Sequence, residues 1–140
     1  MNRTESRPDL TGVWEMNVGQ STMKGSVPQR VLMEIKHREP RLIQQILVIN
    51  AGGAEQRITA VYETNAETIN SIGEVPVRTR AMWHGMELVI ESRMRMPDRE
   101  VCFRDHWSLS ADGCTLTMAH RDDDLAGQIS IFEKKATQTP

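Results

Sequence analysis

The sequence has no excess of basic residues, no long apolar segment and few cysteines, and each absence narrows the functions to consider. Its 140 residues include 17 Lys and Arg against 19 Asp and Glu, which gives a formal net charge of −2. A nucleic-acid-binding surface needs an excess of basic side chains on one face, so we expect no nucleic-acid partner. No apolar run reaches the roughly 20 residues that a membrane-spanning helix requires, so we expect no membrane span.

The N-terminus and the two cysteines bear on the cellular compartment. Residues 1–9 are polar and contain no hydrophobic segment of a secretory signal, which predicts a cytoplasmic location for the chain as it stands. A secreted or periplasmic location stays open if residues precede this start. Cys102 and Cys114 lie too far apart in the predicted strand pairing to form a disulfide, so we expect two free thiols, which suit a reducing compartment.

Apolar and polar residues alternate with a period of two along most of the chain, which is the pattern of half-buried β-strands. The sequence predicts an all-β fold, an antiparallel up-and-down β-barrel of about eight to ten strands; a two-sheet sandwich is the alternative. No amphipathic helix of ten or more residues is expected. One domain should span 10–134, between a flexible tail at 1–9 and a frayed C-terminus at 135–140.

The clearest hairpin in the sequence is centred on His84-Gly85. Glycine at the second turn position suits a type I′ turn, because that turn needs a positive φ at both central residues. This turn pairs Trp83 with Met86 and sets Arg78 across from Glu91. In this register apolar residues lie opposite apolar residues and an arginine lies opposite a glutamate, which supports the predicted pairing.

A second hairpin, around 110–114, has two alternative registers. A glycine-bulge turn aligns Ser110 with Cys114, whereas the apolar pattern pairs Trp107 with Leu116. The choice decides where the chain's neighbouring histidines fall. A third ligand at a persuasive spacing is lacking in either register, so we predict no metal site.

The metal alternative for this hairpin depends on His106 and His120. They share a face only in the glycine-bulge register, where the two imidazoles with one carboxylate would suit Zn²⁺. The other register puts the two side chains on opposite faces of the sheet. The pair therefore stays a minor alternative to the prediction of no metal.

The strand predicted at 41–50 is apolar on both faces. The aliphatic side chains on its outer face and on the preceding strand are Leu32, Ile43, Leu47 and Ile49. Exposed apolar surface of this kind marks either an element that covers it or self-association. A homodimer through these four residues is therefore one of the partner interactions that we keep open.

The opening Leu10-Thr11-Gly12-Val13-Trp14, followed by Ser21, resembles the first strand of the calycin group, which includes lipocalins, fatty-acid-binding proteins and avidins. The segments 83–90 and 107–117 share the resemblance, which runs from about residue 10 to residue 134 and points to bacterial lipocalin-like proteins in particular. The resemblance implies a lipocalin/fatty-acid-binding-protein-like barrel that holds a small hydrophobic molecule. The tryptophan positions that hold biotin in avidins are not matched.

The resemblance also carries an expectation for Trp14 and for cofactors. In lipocalins the first-strand tryptophan packs at the closed barrel end under an arginine from a late strand, and Arg121 is the candidate for that arginine. Nitrobindin-type haem proteins continue with glycines where this chain has Glu15-Met16-Asn17. Asp122-Asp123-Asp124 lacks the spacing of a calcium loop and is interpreted as a charged turn. We therefore predict no cofactor.

Four polar residues fall on strand faces that are predicted to point inward: Gln44, Tyr62, Thr79 and Ser92. A few polar groups in an apolar cavity orient a bound ligand, so we take these four as candidate ligand-binding residues. The alternative is that they are buried polar groups hydrogen-bonded to each other or to water. The nine methionines are interpreted as core filling, with an adaptable pocket wall as the alternative.

Asp105 interrupts an otherwise apolar strand face. It is the one candidate for a catalytic residue. A carboxylate in an apolar interior is costly unless it is paired or protonated, and a raised pKa would suit a general acid or base. The alternatives are a position near the barrel rim, or an internal salt bridge with one of three arginines, Arg80, Arg93 or Arg121.

Three functions follow from these patterns. The first is the binding of a small hydrophobic or amphipathic molecule in a barrel cavity, at the end of the barrel opposite Trp14. The second is a barrel enzyme of the isomerase or cyclase type that uses Asp105 as acid or base. The third is a structural or interaction module that associates through its outer apolar face.

Overall fold

The computed structural model describes residues 8–23, 25–122 and 127–135, and these form ten antiparallel strands. The strands are β1 (Gly12–Met16), β2 (Arg30–Arg38), β3 (Arg41–Ile49), β4 (Glu55–Glu63), β5 (Ala66–Ile72), β6 (Val75–His84), β7 (Glu87–Arg95), β8 (Glu100–Leu109), β9 (Thr115–Asp122) and β10 (Gln128–Lys134). The described ranges contain no helix, and so none that could cross a membrane. The predicted tail at 1–9, C-terminus at 135–140 and turn at 122–124 lie largely outside these ranges.

The sheet closes on itself through its first and last strands. Its order is β4-β3-β2-β1-β10-β9-β8-β7-β6-β5, so strands that follow one another in the chain pair, except β4 and β5, and β1 also pairs with β10. The open edges of the sheet, β4 and β5, come together to leave a nearly closed barrel. The predicted all-β up-and-down barrel is thus confirmed.

A single side chain joins β4 to β5 in place of a regular ladder. The Asn70 side-chain oxygen accepts a hydrogen bond from the Val61 N–H at 2.8 Å, and its Nδ2 donates to the Val61 carbonyl at 3.1 Å. One isolated bridge between Thr64 and Ala81 lies beside it. An asparagine amide presents a donor and an acceptor as a peptide group does, so Asn70 replaces one step of the missing ladder.

Alternate residues of each strand point into the barrel and form its core. The β2–β3 pairing sets Val31 opposite Val48 and Met33 opposite Ile46, which confirms the predicted inner faces of this hairpin. The largest fully buried side chains are Trp14, Leu10, Met33, Ile35, Leu42, Leu88, Ile90 and Leu116. All eight belong to one buried cluster that includes Trp14.

The register predicted for the hairpin at 83–88 is wrong by two residues. Trp83 pairs with Leu88 rather than with Met86, and the turn consists of Gly85 and Met86. Gly85 has a φ of +64° at the first central position, and Met86 has no positive φ, which is the pattern of a type II′ turn. A shift of two leaves every side chain on its predicted face, although Glu91 now faces Arg80 instead of Arg78.

Both registers considered for the hairpin around Asp112 are wrong. Leu109 pairs with Leu116, one residue away from the glycine-bulge alternative. The Asp112 side chain stabilises the longer loop, because it accepts hydrogen bonds from the Ser110 hydroxyl and the Cys114 N–H. This register lies two residues from the apolar alternative, so that alternative placed the side chains of β9 on the correct faces.

The outer apolar patch is less exposed than its sequence suggested. Leu32 and Leu47 are directly opposite each other, and these two and Ile43 and Ile49 are all half-buried. The charged side chains of Arg30 and Lys36 lie across from Ile49 and Ile43 on the neighbouring strand. Long charged side chains cover part of such surface with their stems. The homodimer through this patch stays a prediction.

Candidate ligand cavity

Trp14 seals one end of the barrel, the closed end. Its side chain is fully buried, and its indole N–H donates to the Leu10 carbonyl at 3.1 Å. The Nζ of Lys134 lies 5.7 Å from the ring centre, because Trp14 and Lys134 are direct partners across β1 and β10. Gly12, two residues before the tryptophan, has a φ of +156°, which residues with a side chain rarely adopt, and this favours glycine there. The prediction that Arg121 covers Trp14 is wrong: Arg121 is exposed on the outer face.

A hydrogen-bond network closes the same end around Glu39. One Glu39 oxygen bonds His37 Nε2 at 2.7 Å and the Trp83 indole N–H at 2.9 Å, and the other accepts from the Thr64 hydroxyl at 2.9 Å. His37 Nδ1 accepts the backbone N–H of Leu10 at 3.1 Å, so its Nε2 carries the proton. Burial raises the pKa of Glu39, but these hydrogen bonds outweigh it and hold that pKa below its ordinary value.

The other end of the barrel, the open end, contains a cavity of about 680 Å³. Its walls are mainly apolar and include the inner faces of β1–β4, β9 and β10; four of the chain's methionines are among them, Met16, Met23, Met33 and Met118. Flexible thioether side chains adapt to ligands of irregular shape, so the methionines that we interpreted as core filling also form a pocket wall.

The loop between β1 and β2 forms part of the cavity rim. Ser21 anchors it: its hydroxyl accepts the Ile131 N–H at 2.9 Å and donates to the Asn17 carbonyl at 2.8 Å. The next residue, Thr22, forms an isolated bridge with Ile129 of β10. From this anchor the loop reaches the mouth of the cavity, where Ser26 and Pro28 line it. Sequence reasoning left open a short helix here, and the described part of the loop has none.

Asp105 and His120 form a half-buried pair on the cavity wall. They are direct partners across β8 and β9, with Oδ1 and Nδ1 2.7 Å apart and side chains 22% and 37% exposed. The hydrogen bond that His120 donates to Asp105 raises the pKa of His120 above its ordinary value, and burial opposes this only in part. The salt bridge expected with Arg80, Arg93 or Arg121 is wrong, because alternation places all three on the outer face.

His106, the second histidine of this hairpin, faces away from the cavity. It bonds Glu87 at 3.0 Å on the outer face, whereas His120 points inward. The two therefore cannot share a metal ion. Across the described ranges, no group of three or more His, Cys, Asp or Glu side chains is placed to hold one.

Of the predicted ligand-binding residues, Gln44 lines the cavity, and Tyr62 is hydrogen-bonded to it. The Tyr62 hydroxyl donates to Gln44 Oε1 at 3.2 Å, and Gln44 Nε2 contacts Met33 Sδ at 3.2 Å. The Tyr62 ring packs edge-on against Trp107 with centroids 5.8 Å apart. Burial, with a smaller contribution from the negative charge of Asp105, raises the pKa of Tyr62, so its hydroxyl stays a donor.

Thr79 and Ser92, the other two predicted residues, lie on the inner face but outside this cavity. They are buried direct partners across β6 and β7, and Thr79 accepts a hydrogen bond from Asn70 at 3.4 Å. Ser92 borders a second depression of about 850 Å³, whose walls mix inner residues with the outer ion pair of Glu91 and Arg104. A ligand needs apolar walls, so the interior cavity is the better candidate site although it is the smaller.

Comparisons with known proteins show the fold of this chain. A scan of protein-family models and a search of curated proteins find no match. Among solved structures, a secretory abundant heat soluble protein of Ramazzottius varieornatus has a TM-score of 0.67 at 13% identity, with 94% of this chain and 98% of that one covered. Lipid binding protein 8 of Caenorhabditis elegans has a TM-score of 0.66 at 9% identity, with 95% and 100% covered.

A fatty acid binding protein of Schistosoma mansoni, solved in complex with arachidonic acid, is also similar. Its TM-score is 0.62 at 6% identity, and the match covers 91% of this chain and 96% of that one. Identities this low show a shared fold and not a shared activity. The chain therefore shares the β-barrel fold of these three structures.

Proposed function

We propose that this chain binds a small hydrophobic or amphipathic molecule in the cavity at the open end. The observation that carries the proposal is an interior space of about 680 Å³ whose mostly apolar walls carry a few polar groups, Gln44 and the Asp105–His120 pair among them. Such a space falls within the range of about 300–1,000 Å³ that is typical of ligand sites. Apolar walls supply affinity, and the polar groups fix the orientation of the ligand.

The position of the cavity supports the same function. It lies at the end of the barrel opposite Trp14, where we expected a ligand, and the anchored β1–β2 loop borders its mouth. The similar barrel of Schistosoma mansoni holds arachidonic acid, a long apolar chain with one polar end. A molecule of that general shape suits a cavity whose apolar walls carry a few polar groups.

Uptake of N-phenyl-1-naphthylamine, a neutral probe that fluoresces in apolar surroundings, tests the proposal. We expect saturable binding of one probe per chain, and weakened binding in Met118→Trp, whose larger side chain narrows the cavity. Met86→Trp is the matched control, because Met86 lies in an exposed turn and should leave binding unchanged. Probe binding that Met118→Trp does not weaken, in a variant that unfolds cooperatively, would contradict the proposal.

The Asp105–His120 pair also favours a second function, acid–base catalysis on a bound apolar substrate. A carboxylate hydrogen-bonded to an imidazole beside an apolar cavity is a suitable acid–base pair. The test incubates the protein with 2-dodecanone in D₂O and measures deuterium at the carbons next to the carbonyl by mass spectrometry. Catalysis predicts exchange that Asp105→Asn abolishes and that the outer-face variant Glu91→Gln retains. Exchange at the rate without protein would overturn this candidate.

A further inference from the structure

The positive charges of the barrel lie almost entirely outside it. Strand alternation places every Arg and Lys side chain of the ten described strands except Lys134 on the outer face. All of these outer side chains are exposed. Lys134 is at the closed end, over Trp14 and away from the cavity. No Arg or Lys occurs among the described residues that line the cavity.

The charged groups that line the cavity are, by contrast, an acid and the imidazole paired with it. Asp105 and His120 are on its wall, with Oδ1 and Nδ1 2.7 Å apart. His120 therefore brings no unpaired positive charge to the cavity, and Asp105 supplies a carboxylate.

We propose that the cavity selects an amphiphile whose polar end donates hydrogen bonds, with a long-chain amine as the strongest case, over a carboxylate of the same length. This inference rests on the proposed function. Asp105 is the acceptor: His120 occupies its Oδ1 at 2.7 Å, and a carboxylate has lone pairs for further donors. A protonated amine gains a charge-assisted hydrogen bond there, whereas a carboxylate would be taken out of water beside a like charge.

Gln44 accommodates the same kind of head group. Its Oε1 already accepts from Tyr62, and its Nε2 points at Met33 Sδ, a weak acceptor. The amide oxygen keeps a second lone pair, which can accept a hydrogen bond from the head group. The Schistosoma mansoni barrel was solved with arachidonic acid, a carboxylic acid, so this inference separates two barrels of one fold by the head group that each accepts.

Displacement of bound N-phenyl-1-naphthylamine by dodecylamine, dodecanol and dodecanoate, each below its micelle concentration at neutral pH, tests the inference. We expect dodecylamine to displace the probe at a concentration at least about tenfold lower than dodecanoate, with dodecanol between them. If dodecanoate is equal to or better than dodecylamine, the inference fails while the proposed function stands. If no ligand competes and the probe itself does not bind, the proposed function fails.

Two variants with the same change of net charge separate Asp105 from general electrostatics. Asp105→Asn should bring the amine and the carboxylate to within about threefold of each other, because it removes the charge on the cavity wall. Glu91→Gln removes one negative charge from the outer face, where Glu91 pairs with Arg104, and should keep the full preference. Equal loss of preference in both variants would assign it to non-specific attraction and overturn the role of Asp105.

Discussion

The two ends of the barrel are built from the same strands but bury their residues differently. At the closed end, large side chains fill the interior around Trp14, and Glu39 accepts hydrogen bonds from three neighbouring side chains. At the open end, methionines and aliphatic side chains leave a cavity of about 680 Å³, and the Asp105–His120 pair lies on its wall. The closed end is a packed core, and the open end surrounds a cavity.

This difference shows how a small barrel combines stability with binding. An unfilled cavity costs free energy because its walls lose packing contacts. The closed end must therefore supply the stability that the open end lacks. The polar groups follow the same division: at the closed end they bond one another, whereas at the open end they face a space that a ligand can occupy. The predictions below test this division.

The largest effect is expected from Trp14→Ala at the closed end. Removing a fully buried indole should lower the free energy of unfolding by about 3–5 kcal/mol, measured by urea denaturation. Met118→Ala at the open end should cost clearly less, because Met118 already borders a cavity. Equal losses of unfolding free energy at the two positions would contradict the division into a packed closed end and an open end with a cavity.

Glu39→Gln should lower the free energy of unfolding by about 1–2 kcal/mol, through weakened hydrogen bonds to His37, Trp83 and Thr64. Because the folded-state pKa of Glu39 lies below its ordinary value of 4.5, its contribution is present above that value and is lost as the pH falls through the folded-state pKa. Urea unfolding at a series of acidic pH values should therefore show a shallower pH dependence for the variant than for the wild type. Parallel curves would argue against a structural role for this carboxylate.

Asn70→Ala tests the seam between β4 and β5 that runs alongside both ends. Loss of its two hydrogen bonds to the Val61 backbone should cost about 1 kcal/mol and speed hydrogen exchange of the Val61 amide. Ser71→Ala, at the exposed next position of β5, is the matched control and should leave that exchange rate unchanged. Unaltered exchange in Asn70→Ala would mean that the seam is held by other contacts.

The smallest effect is expected from the titration of His120 at the open end. Its pKa is raised by Asp105, so the pair's stabilisation is complete below the ordinary value of 6.5 and is lost as the pH rises through the folded-state pKa. For a pair this exposed we expect no more than about 1 kcal/mol. An NMR titration should show the His120 pKa above 6.5 in the wild type and lowered in Asp105→Asn; a wild-type value at or below 6.5 would contradict the pairing.

Much of the fold could be predicted from the sequence, because strand faces depend only on alternation. The inner faces of β2 and β3, the burial of Trp14 and the barrel itself follow from that period. The turn at Gly85 could not be fixed in the same way, since a glycine there satisfies a type I′ or a type II′ turn. An error of two residues there left the predicted faces intact.

The candidate site was harder to predict, because it depends on the hairpin at Asp112. A shift of one residue in that hairpin moves His120 from a face shared with His106 to the position opposite Asp105. A local signal favours the observed loop: Asp112 accepts hydrogen bonds from both Ser110 and Cys114 in it. Lys134 was missed as the cation over Trp14, because only the pairing of β1 with β10 reveals it.

The most direct test of the central claim is an NMR titration of the protein, labelled with ¹³C at its methionine methyl groups, with N-phenyl-1-naphthylamine. An aromatic ring in the cavity should shift the methyl signals of Met33 and Met118, which line it, and leave those of Met82 on the outer face and Met86 in the exposed turn unchanged. Shifts confined to Met82 or Met86 would place the probe on the surface and contradict an account in which the open end of the barrel is the binding site.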